Sequence, residues 1–227
     1  MVQDVEAVGA VCAEADVPYL VDACQAVGQI PVDVSAIKCD YLTVTARKFL
    51  RGPRGIGFMY ASDRALARGD HPLFVDMRGA TWTAPDHYEI DATARRYEDW
   101  EFPYALVLGL RAAAEYASSA GIERGGARAR DLAAQLRRGI AEIRGAKVLD
   151  RGAELCAIVT AELEGVHARR IVEHLATHGI NSAASLKWYG LLDFGPREVE
   201  SAVRLSPHYY NTIDEVDLTI EALRELT

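Results

Sequence analysis

The sequence predicts an α/β fold: a mostly parallel sheet in the first part of the chain, followed by a smaller α+β domain. Short apolar runs that end in polar residues, PYLVD (18–22) and DYLTVTA (40–46), are typical of buried parallel strands. The later part alternates longer helical segments with single apolar runs. We therefore expect one domain over residues 1–103 and a second over residues 104–227.

The first part opens with a predicted helix over residues 4–15, where Val5, Val8 and Val11 share one face. The two apolar runs follow, and a third such run, GIGFMYAS (55–62), is entered through a Gly-Pro-Arg-Gly turn. Residues 63–100 show no clear periodicity and are expected to be irregular. A connection of this length in a compact domain indicates a functional segment or an interface.

The second part begins with two predicted helices, over residues 105–119 and 122–143. A strand, CAIVTAEL, precedes a helix, HARRIVEHLATHG, that is expected to end at Gly179 as its C-cap. Another strand, ESAVRLSPHYY, leads to a last helix, where Thr212 and Glu215 have capping-box spacing.

Composition excludes several classes of partner. The net charge of −8 and the pI of about 5.3 disfavour nucleic acid and anionic membranes as partners. No apolar run reaches the length of a bilayer span, and the first residues lack the pattern of a signal peptide. The 4 cysteines show no spacing typical of disulfides or of zinc ligands. We expect a cytoplasmic protein with no metal site.

The residues with candidate chemical roles lie where the two apolar runs end. A lysine can form a Schiff base with an aldehyde cofactor such as pyridoxal phosphate (PLP), which also needs a carboxylate at its ring nitrogen and polar groups at its phosphate. Lys48 would be that lysine and Asp22 that carboxylate. Gln25 would reach the ring hydroxyl, and Thr45 and Arg47 the phosphate. The alternative is that Asp22 caps a turn and Lys48 is a solvated surface lysine.

This combination resembles the class V aminotransferase family of fold-type I PLP-dependent enzymes. DYLTVTARK followed by GIGFM is similar to the lysine signature of that family, and the similarity covers residues 1–227. The resemblance implies part of a PLP-transferase large domain followed by the small α+β domain. It also implies that Lys48 is the internal-aldimine lysine, Asp22 the pyridinium partner and Gln25 the ring-oxygen contact. Thr45 and Arg47 would be phosphate neighbours.

Two further segments resemble the family. AVRLSPHYYNT (202–212) is similar to the carboxy-terminal motif in which an arginine, here Arg204, binds the substrate α-carboxylate; the alternative is a strand arginine on a solvent face. Residues 79–101 resemble a dimer-contact segment in which Thr81 would reach the neighbour's cofactor phosphate. Within it, RRYEDWE is expected to pin the loop, with structural roles for Arg96, Glu98, Trp100 and Glu101.

The absence of a cysteine from one segment argues against one of the possible reactions. A cysteine desulfurase needs a cysteine on a mobile loop of the small domain, but INSAASLKWYGLLDFGP (180–196) has none and Cys156 falls in a predicted strand. Three segments, DACQAVGQ, RRYEDWE and HYYNT, are similar to segments of one branch of the family. That branch contains isopenicillin N epimerase-like proteins and the C–S lyase of ergothioneine biosynthesis. We predict β-elimination by a C–S lyase, with an aminotransferase or an amino-acid epimerase as alternatives. Two roles are open for Lys187, Trp188 and Tyr189. They line the substrate pocket, or they belong to the core or to an interface.

The order of elements indicates an incomplete fold. A helix that feeds a parallel strand normally follows an earlier strand of the same sheet, and none precedes residue 4. Members of the resembled family are longer at the N-terminus, where they carry the ring-stacking residue and a phosphate turn. We expect a second polypeptide to supply that half, a dimer of such units, and insolubility or strong association of the isolated chain; a fragment or a decayed copy is the alternative. A non-catalytic scaffold subunit is the alternative of another class.

Overall fold

The structure is a computed structural model that describes all residues, 1–227. It divides into two compact units: the first comprises Asp4–Ile122, and the second comprises Met1–Gln3 with Glu123–Thr227. The predicted domain boundary between residues 103 and 104 stays a prediction. None of the helices combines the length and the apolar character that crossing a bilayer would require.

The first unit contains a three-stranded sheet. Its elements are α1 (Val5–Glu14), β1 (Leu20–Asp22), α2 (Val34–Ile37), β2 (Tyr41–Thr45) and β3 (Gly57–Ala61), with strand order β1-β2-β3. β1 and β2 are parallel, as predicted, with Asp22 opposite Thr43. The third apolar run also forms a strand, but β3 pairs antiparallel with β2, so the expected parallel direction was wrong there. Phe58 and Met59 of β3 are exposed.

The buried carboxylate of Asp40 connects several segments of this sheet by hydrogen bonds. Asp40 is fully buried; it accepts hydrogen bonds from Arg64 Nε at 2.9 Å and from the backbone N–H of Tyr19 at 2.8 Å. Burial alone raises the pKa of Asp40, but the hydrogen bonds and the charges of Arg64 and Arg68 outweigh it, and the net pKa is lowered. The carboxylate therefore joins the start of β2 to the helix that follows β3.

Residues 63–100 are more regular than the sequence predicted. They contain α3 (Asp63–Ala67), an antiparallel hairpin of β4 (Ala80–Ala84) and β5 (His87–Ile90), and a 3-10 turn, Ala94–Tyr97. The hairpin escaped prediction because nearly all its side chains are exposed, which removes the apolar alternation that marks a strand. Arg96 is buried and donates to the carbonyls of Leu66, Asp70 and Asp91, which confirms its structural role.

Helix α4 (Tyr104–Ala120) ends the first unit and buries none of its 17 residues. Its exposed large side chains include Tyr104, Val107, Leu108 and Tyr116. A helix with this much uncovered apolar surface normally packs against further protein.

The second unit has a fully antiparallel sheet of four strands with order β6-β7-β9-β8. Its elements are α5 (Ile122–Ala141), β6 (Ala146–Val148), β7 (Val159–Leu163), α6 (Ala168–Thr177), β8 (Ala183–Leu186), α7 (Leu191–Phe194), β9 (Ser201–Leu205) and α8 (Ile213–Arg224). Gly179 has φ +73°, in agreement with its predicted capping position, and the capping box of Thr212 and Glu215 is formed.

The core of the second unit lies where α5, α6 and α8 meet the sheet. Its largest fully buried side chains are contributed by these helices and by the strands: Leu132, Ile140, Val159, Ile171, Leu175, Val203 and Leu223. A buried ion pair supports it: Arg137 Nε lies 2.6 Å from Asp150 Oδ2, and Arg137 also donates to the carbonyls of Cys156 and Ile158. This domain therefore has the α+β architecture that the sequence predicted.

Candidate active site

Parallel pairing brings the predicted site residues to one edge of the first sheet. Asp22 is the last residue of β1 and Thr45 the last residue of β2, and the carboxyl ends of parallel strands lie at the same edge. Arg47 and Lys48 follow in the turn directly after β2. The turn that carries Lys48 therefore lies at the same edge of the sheet as Asp22, and the charge of Lys48 contributes to lowering the pKa of Asp22.

The Asp22 carboxylate is held in its ionised form. Hydrogen bonds from the Cys24 thiol and from the Cys24 backbone N–H, which lies 2.9 Å from Asp22 Oδ1, lower the pKa of Asp22, and the charge of Lys48 adds to this effect. A carboxylate with a lowered pKa stays negative at neutral pH, as a partner for a protonated ring nitrogen must.

Cys24 is a site residue that the sequence reasoning did not single out. Its half-buried Sγ lies 4.0 Å from the Thr43 carbonyl oxygen. Burial raises the pKa of Cys24, and the hydrogen bond and negative charge of Asp22 raise it further. The group at this position is therefore a neutral thiol, a weak nucleophile compared with a thiolate. Its place inside the DACQ stretch, between Asp22 and Gln25, was the available signal.

Gly28 explains how the turn after β1 meets the lysine turn. Its φ is +96°, and a Cβ built there would lie 2.5 Å from Leu50 N and 2.5 Å from the Phe49 carbonyl carbon. The two backbones thus touch with no room for a side chain. The segment that carries Asp22 and the segment that carries Lys48 are fixed against each other at this point.

The lysine turn is also braced from within. The backbone N–H of Arg51 donates to the Lys48 carbonyl at 2.8 Å, and Gly52 N donates to the Ala46 carbonyl at 2.8 Å. Arg51 has φ +60°, and its guanidinium lies 4.8 Å from the centre of the Tyr116 ring of α4. The backbone of Lys48 is therefore held on both sides.

The other candidate site residues of the first unit are Gln25, Arg47 and Thr81. Gln25 is half-buried in the turn after β1, where its carbonyl accepts a hydrogen bond from Gln29 Nε2. Arg47 is exposed. Thr81 is exposed in β4, opposite Glu89, in the separate two-stranded sheet.

In the second unit, Arg204 lies in β9 between Thr160 of β7 and Ala183 of β8. Its Nε is buried and has no hydrogen-bond partner. Arg204 as a whole is half-buried, and a buried guanidinium nitrogen without a partner is costly, so its role in carboxylate binding stays a prediction. Trp188 and Tyr189 are 66% and 61% exposed, so neither is a core residue.

An α/β domain that carries a lysine and an ionised carboxylate after the ends of two neighbouring strands has the groups that a pyridine-aldehyde cofactor needs. The orphaned Arg204 Nε fits an anionic ligand in the same way. These features define a cofactor-dependent enzyme fold of the PLP-transferase kind. The chain belongs to the aminotransferase class-V family, whose model matches residues 1–219.

Comparisons with individual proteins agree with the family. The chain is 26% identical to a probable cysteine desulfurase of Methanothermobacter thermautotrophicus over 228 residues, covering 99% of this chain and 57% of that protein. The chain thus spans little more than half the length of this relative. Apo cysteine desulfurase of Thermococcus onnurineus has the same fold, with TM-score 0.90, 22% identity and coverage of 98% and 56% of the two chains.

A further solved structure bears on the cofactor. The cystine C–S lyase C-DES, in complex with its reaction product cysteine persulfide, matches with TM-score 0.84 and 23% identity, over 99% of this chain and 57% of C-DES. A variant of C-DES carries glycine covalently linked to its PLP cofactor. Membership of the aminotransferase class-V family supports the predicted cofactor, pyridoxal phosphate. The predicted epimerase and ergothioneine-lyase branch stays a prediction.

Proposed function

We propose that this chain is a subunit of a PLP-dependent enzyme that acts on an amino acid, and that its reaction is C–S bond cleavage by β-elimination. The observation that carries this proposal is the parallel pairing that places Asp22, at the end of β1, and the Lys48 turn, directly after β2, at one edge of the sheet. When bound, PLP supplies an electron-withdrawing ring that stabilises the electron pair left by loss of the α-proton. Lys48 Nζ would hold the cofactor and, once the substrate amine has displaced it as a free amine, would take that proton.

The other residues of the edge have proposed positioning roles. Asp22, negative at neutral pH, keeps the proton on the ring nitrogen. Gln25 lies one turn further along and is assigned to the ring oxygen. Thr45 and Arg47 flank the lysine turn and are assigned to the phosphate, for which a guanidinium suits bidentate contact. The exposed Thr81 is assigned to the cofactor phosphate of a neighbouring unit in a dimer.

Arg204 is the proposed contact of the substrate α-carboxylate. Its buried Nε lacks a hydrogen bond, and a carboxylate would supply the missing acceptor. No other feature of β9 needs a cation, since its neighbours across the sheet are Thr160 and Ala183.

The chemistry of the thiols favours a lyase over a desulfurase. Desulfuration through the enzyme needs an accessible thiolate as sulfur acceptor. Cys12 is half-buried in α1, Cys24 is a neutral thiol of raised pKa, and Cys39 and Cys156 are buried. Residues 157–227 contain no cysteine. In β-elimination the Cα–H and Cβ–S bonds break, the proton passes to Lys48, and the sulfur leaves with its electron pair, so no enzyme thiol is consumed.

We also propose that a second polypeptide completes the fold. Two surfaces of the first unit support this: the exposed Phe58 and Met59 of β3, and the uncovered apolar side chains of α4. All 4 cysteines are free, which suits a reducing compartment such as the cytoplasm.

The decisive experiment is borohydride reduction of the purified chain with PLP, alone and with the candidate complementing polypeptide, followed by peptide mass spectrometry. We expect a pyridoxyl adduct on Lys48 that is absent from Lys48→Ala. Lys147→Ala removes an exposed lysine of the second unit and is the matched control, which should retain the adduct. Absence of any Lys48 adduct in the completed assembly would overturn the proposal and favour a scaffold subunit.

Product analysis separates the reactions. Cystine or a cysteine conjugate should yield pyruvate, ammonia and a sulfur product. Treatment of the enzyme with iodoacetamide should leave this turnover complete. A keto acid that retains the substrate's sulfur would indicate an aminotransferase, and a D-amino acid an epimerase. Full loss of turnover on alkylation, with the adduct on one cysteine other than Cys24, which lies beside Asp22 in the site, would contradict the lyase and favour a desulfurase.

A further inference from the structure

A cluster of nitrogen and oxygen ligands lies in the second unit, among residues other than those of the proposed active site. His174 belongs to α6, His178 directly follows its last residue, and Glu225 directly follows α8. One ligand atom from each residue lies within 4.8 Å of the others. His174 and His178 are four residues apart, which places them on the same face of a helix.

The distances within the cluster fit a single small cation. Glu225 Oε2 lies 3.2 Å from His174 Nε2 and 3.3 Å from His178 Nε2. Ligand atoms about 2.0–2.1 Å from one tetrahedral ion lie about 3.3 Å apart, by the geometry of zinc sites. Two sides of the ligand triangle therefore already have the length that a shared ion requires.

The surroundings orient His178 for coordination. Its Nδ1 lies 3.2 Å from the His174 carbonyl oxygen and 3.3 Å from Thr177 Oγ1. An Nδ1–H that donates to the carbonyl leaves the Nε2 lone pair directed at the Glu225 side, as in metal-bound histidines. His174 Nε2 instead lies 2.9 Å from the Ala222 carbonyl oxygen. It must give up that hydrogen bond and carry its proton on Nδ1 to bind an ion.

We propose that His174, His178 and Glu225 form a site for one divalent transition-metal ion of the zinc class. Two imidazoles and one carboxylate suit Zn²⁺, Co²⁺ or Ni²⁺ rather than Mg²⁺ or Ca²⁺, which take oxygen ligands. The three side chains leave at least one coordination position for water. Because the ligands come from the ends of α6 and α8, a bound ion cross-links the two helices.

The test is isothermal titration of the tag-free 227-residue chain with ZnCl₂, together with thermal unfolding with and without the ion. We expect binding of one ion per chain that is lost on chelation and raises the melting temperature. Glu225→Gln keeps the shape of the side chain, and it and His178→Ala should each weaken Zn²⁺ binding at least tenfold. Glu221→Gln, an exposed carboxylate one turn earlier in α8, should leave binding unchanged.

A spectroscopic readout identifies the ligands independently of stability. Co²⁺ titration should give visible d–d bands without the near-ultraviolet charge-transfer band of a cysteine thiolate. Circular dichroism of each variant establishes that it is folded. No binding by the folded wild-type chain, equal binding by Glu225→Gln and His178→Ala, or a thiolate band would each overturn the proposal. Neither result depends on PLP, so failure here is separate from failure of the proposed function.

Discussion

Replacing Gly28 by Ala should separate the two segments that carry Asp22 and Lys48. At φ +96° any side chain is strained, at a cost of about 1–2 kcal/mol. The added Cβ also meets backbone atoms of Phe49 and Leu50 at 2.5 Å, and relieving such overpacking costs about 1–3 kcal/mol. We expect Gly28→Ala to lower the free energy of unfolding by about 2–5 kcal/mol in total.

Gly69→Ala is the matched control, because it lies in the same unit with φ +81° and has no atom within 4 Å of the added Cβ. It carries the backbone strain without the clash. Urea denaturation of both variants should therefore show a further loss of about 1–3 kcal/mol for Gly28→Ala. Gly28→Ala should also reduce borohydride-trapped cofactor on Lys48, whereas Gly69→Ala should not. Equal stabilities and equal trapping would refute the backbone contact as a determinant of the site.

Three further predictions concern charged groups. Asp40→Asn removes the buried acceptor of Arg64 and of the Tyr19 N–H and should lower stability by about 1–3 kcal/mol at pH 7. Because the folded-state pKa of Asp40 is lowered, its contribution is present above about pH 4 and lost as pH falls below that value, so urea titrations from pH 7 to pH 3 should be flatter for the variant. Arg204→Met should leave urea stability unchanged or raised but abolish substrate binding; retained binding would rule out the carboxylate contact. Asp22→Asn removes the charge that raises the Cys24 pKa, so iodoacetamide should alkylate Cys24 faster at pH 8; an unchanged rate would contradict the coupling.

The sequence was sufficient where local pattern and burial coincide. The runs ending at Asp22 and Thr45 have the apolar character of buried strands, and their parallel pairing follows from the connection between them. The capping box at Thr212 and the positive φ of Gly179 depend only on neighbouring residues, and both were predictable. Lys48 was identified because its turn combines several residue types that each suit one cofactor.

Features set by tertiary contact were not predictable. β6 and β8 are strands of 3 and 4 residues that depend on pairing with β7 and β9, too short for a period to show. The direction of β3 follows from its short connection to β2, which permits an antiparallel neighbour. Gly28 was visible only as one glycine among 18, since its need arises from a backbone distant in sequence.

Two unfavourable local features lie at or close to residues assigned to ligands, and features of the same two kinds also occur at Asp16, Lys38, Glu198 and Ser182. Arg51, three residues after Lys48, is a non-glycine residue with φ +60°, a conformation that costs about 1–2 kcal/mol. The buried Nε of Arg204 forgoes a hydrogen bond worth about 1–3 kcal/mol. Neither feature stabilises the folded chain by itself, because an apolar strand residue or a turn glycine would fold there without the cost. Such costs are expected where a fold holds side chains ready for a ligand, and they fall in the lysine turn and on the proposed carboxylate contact.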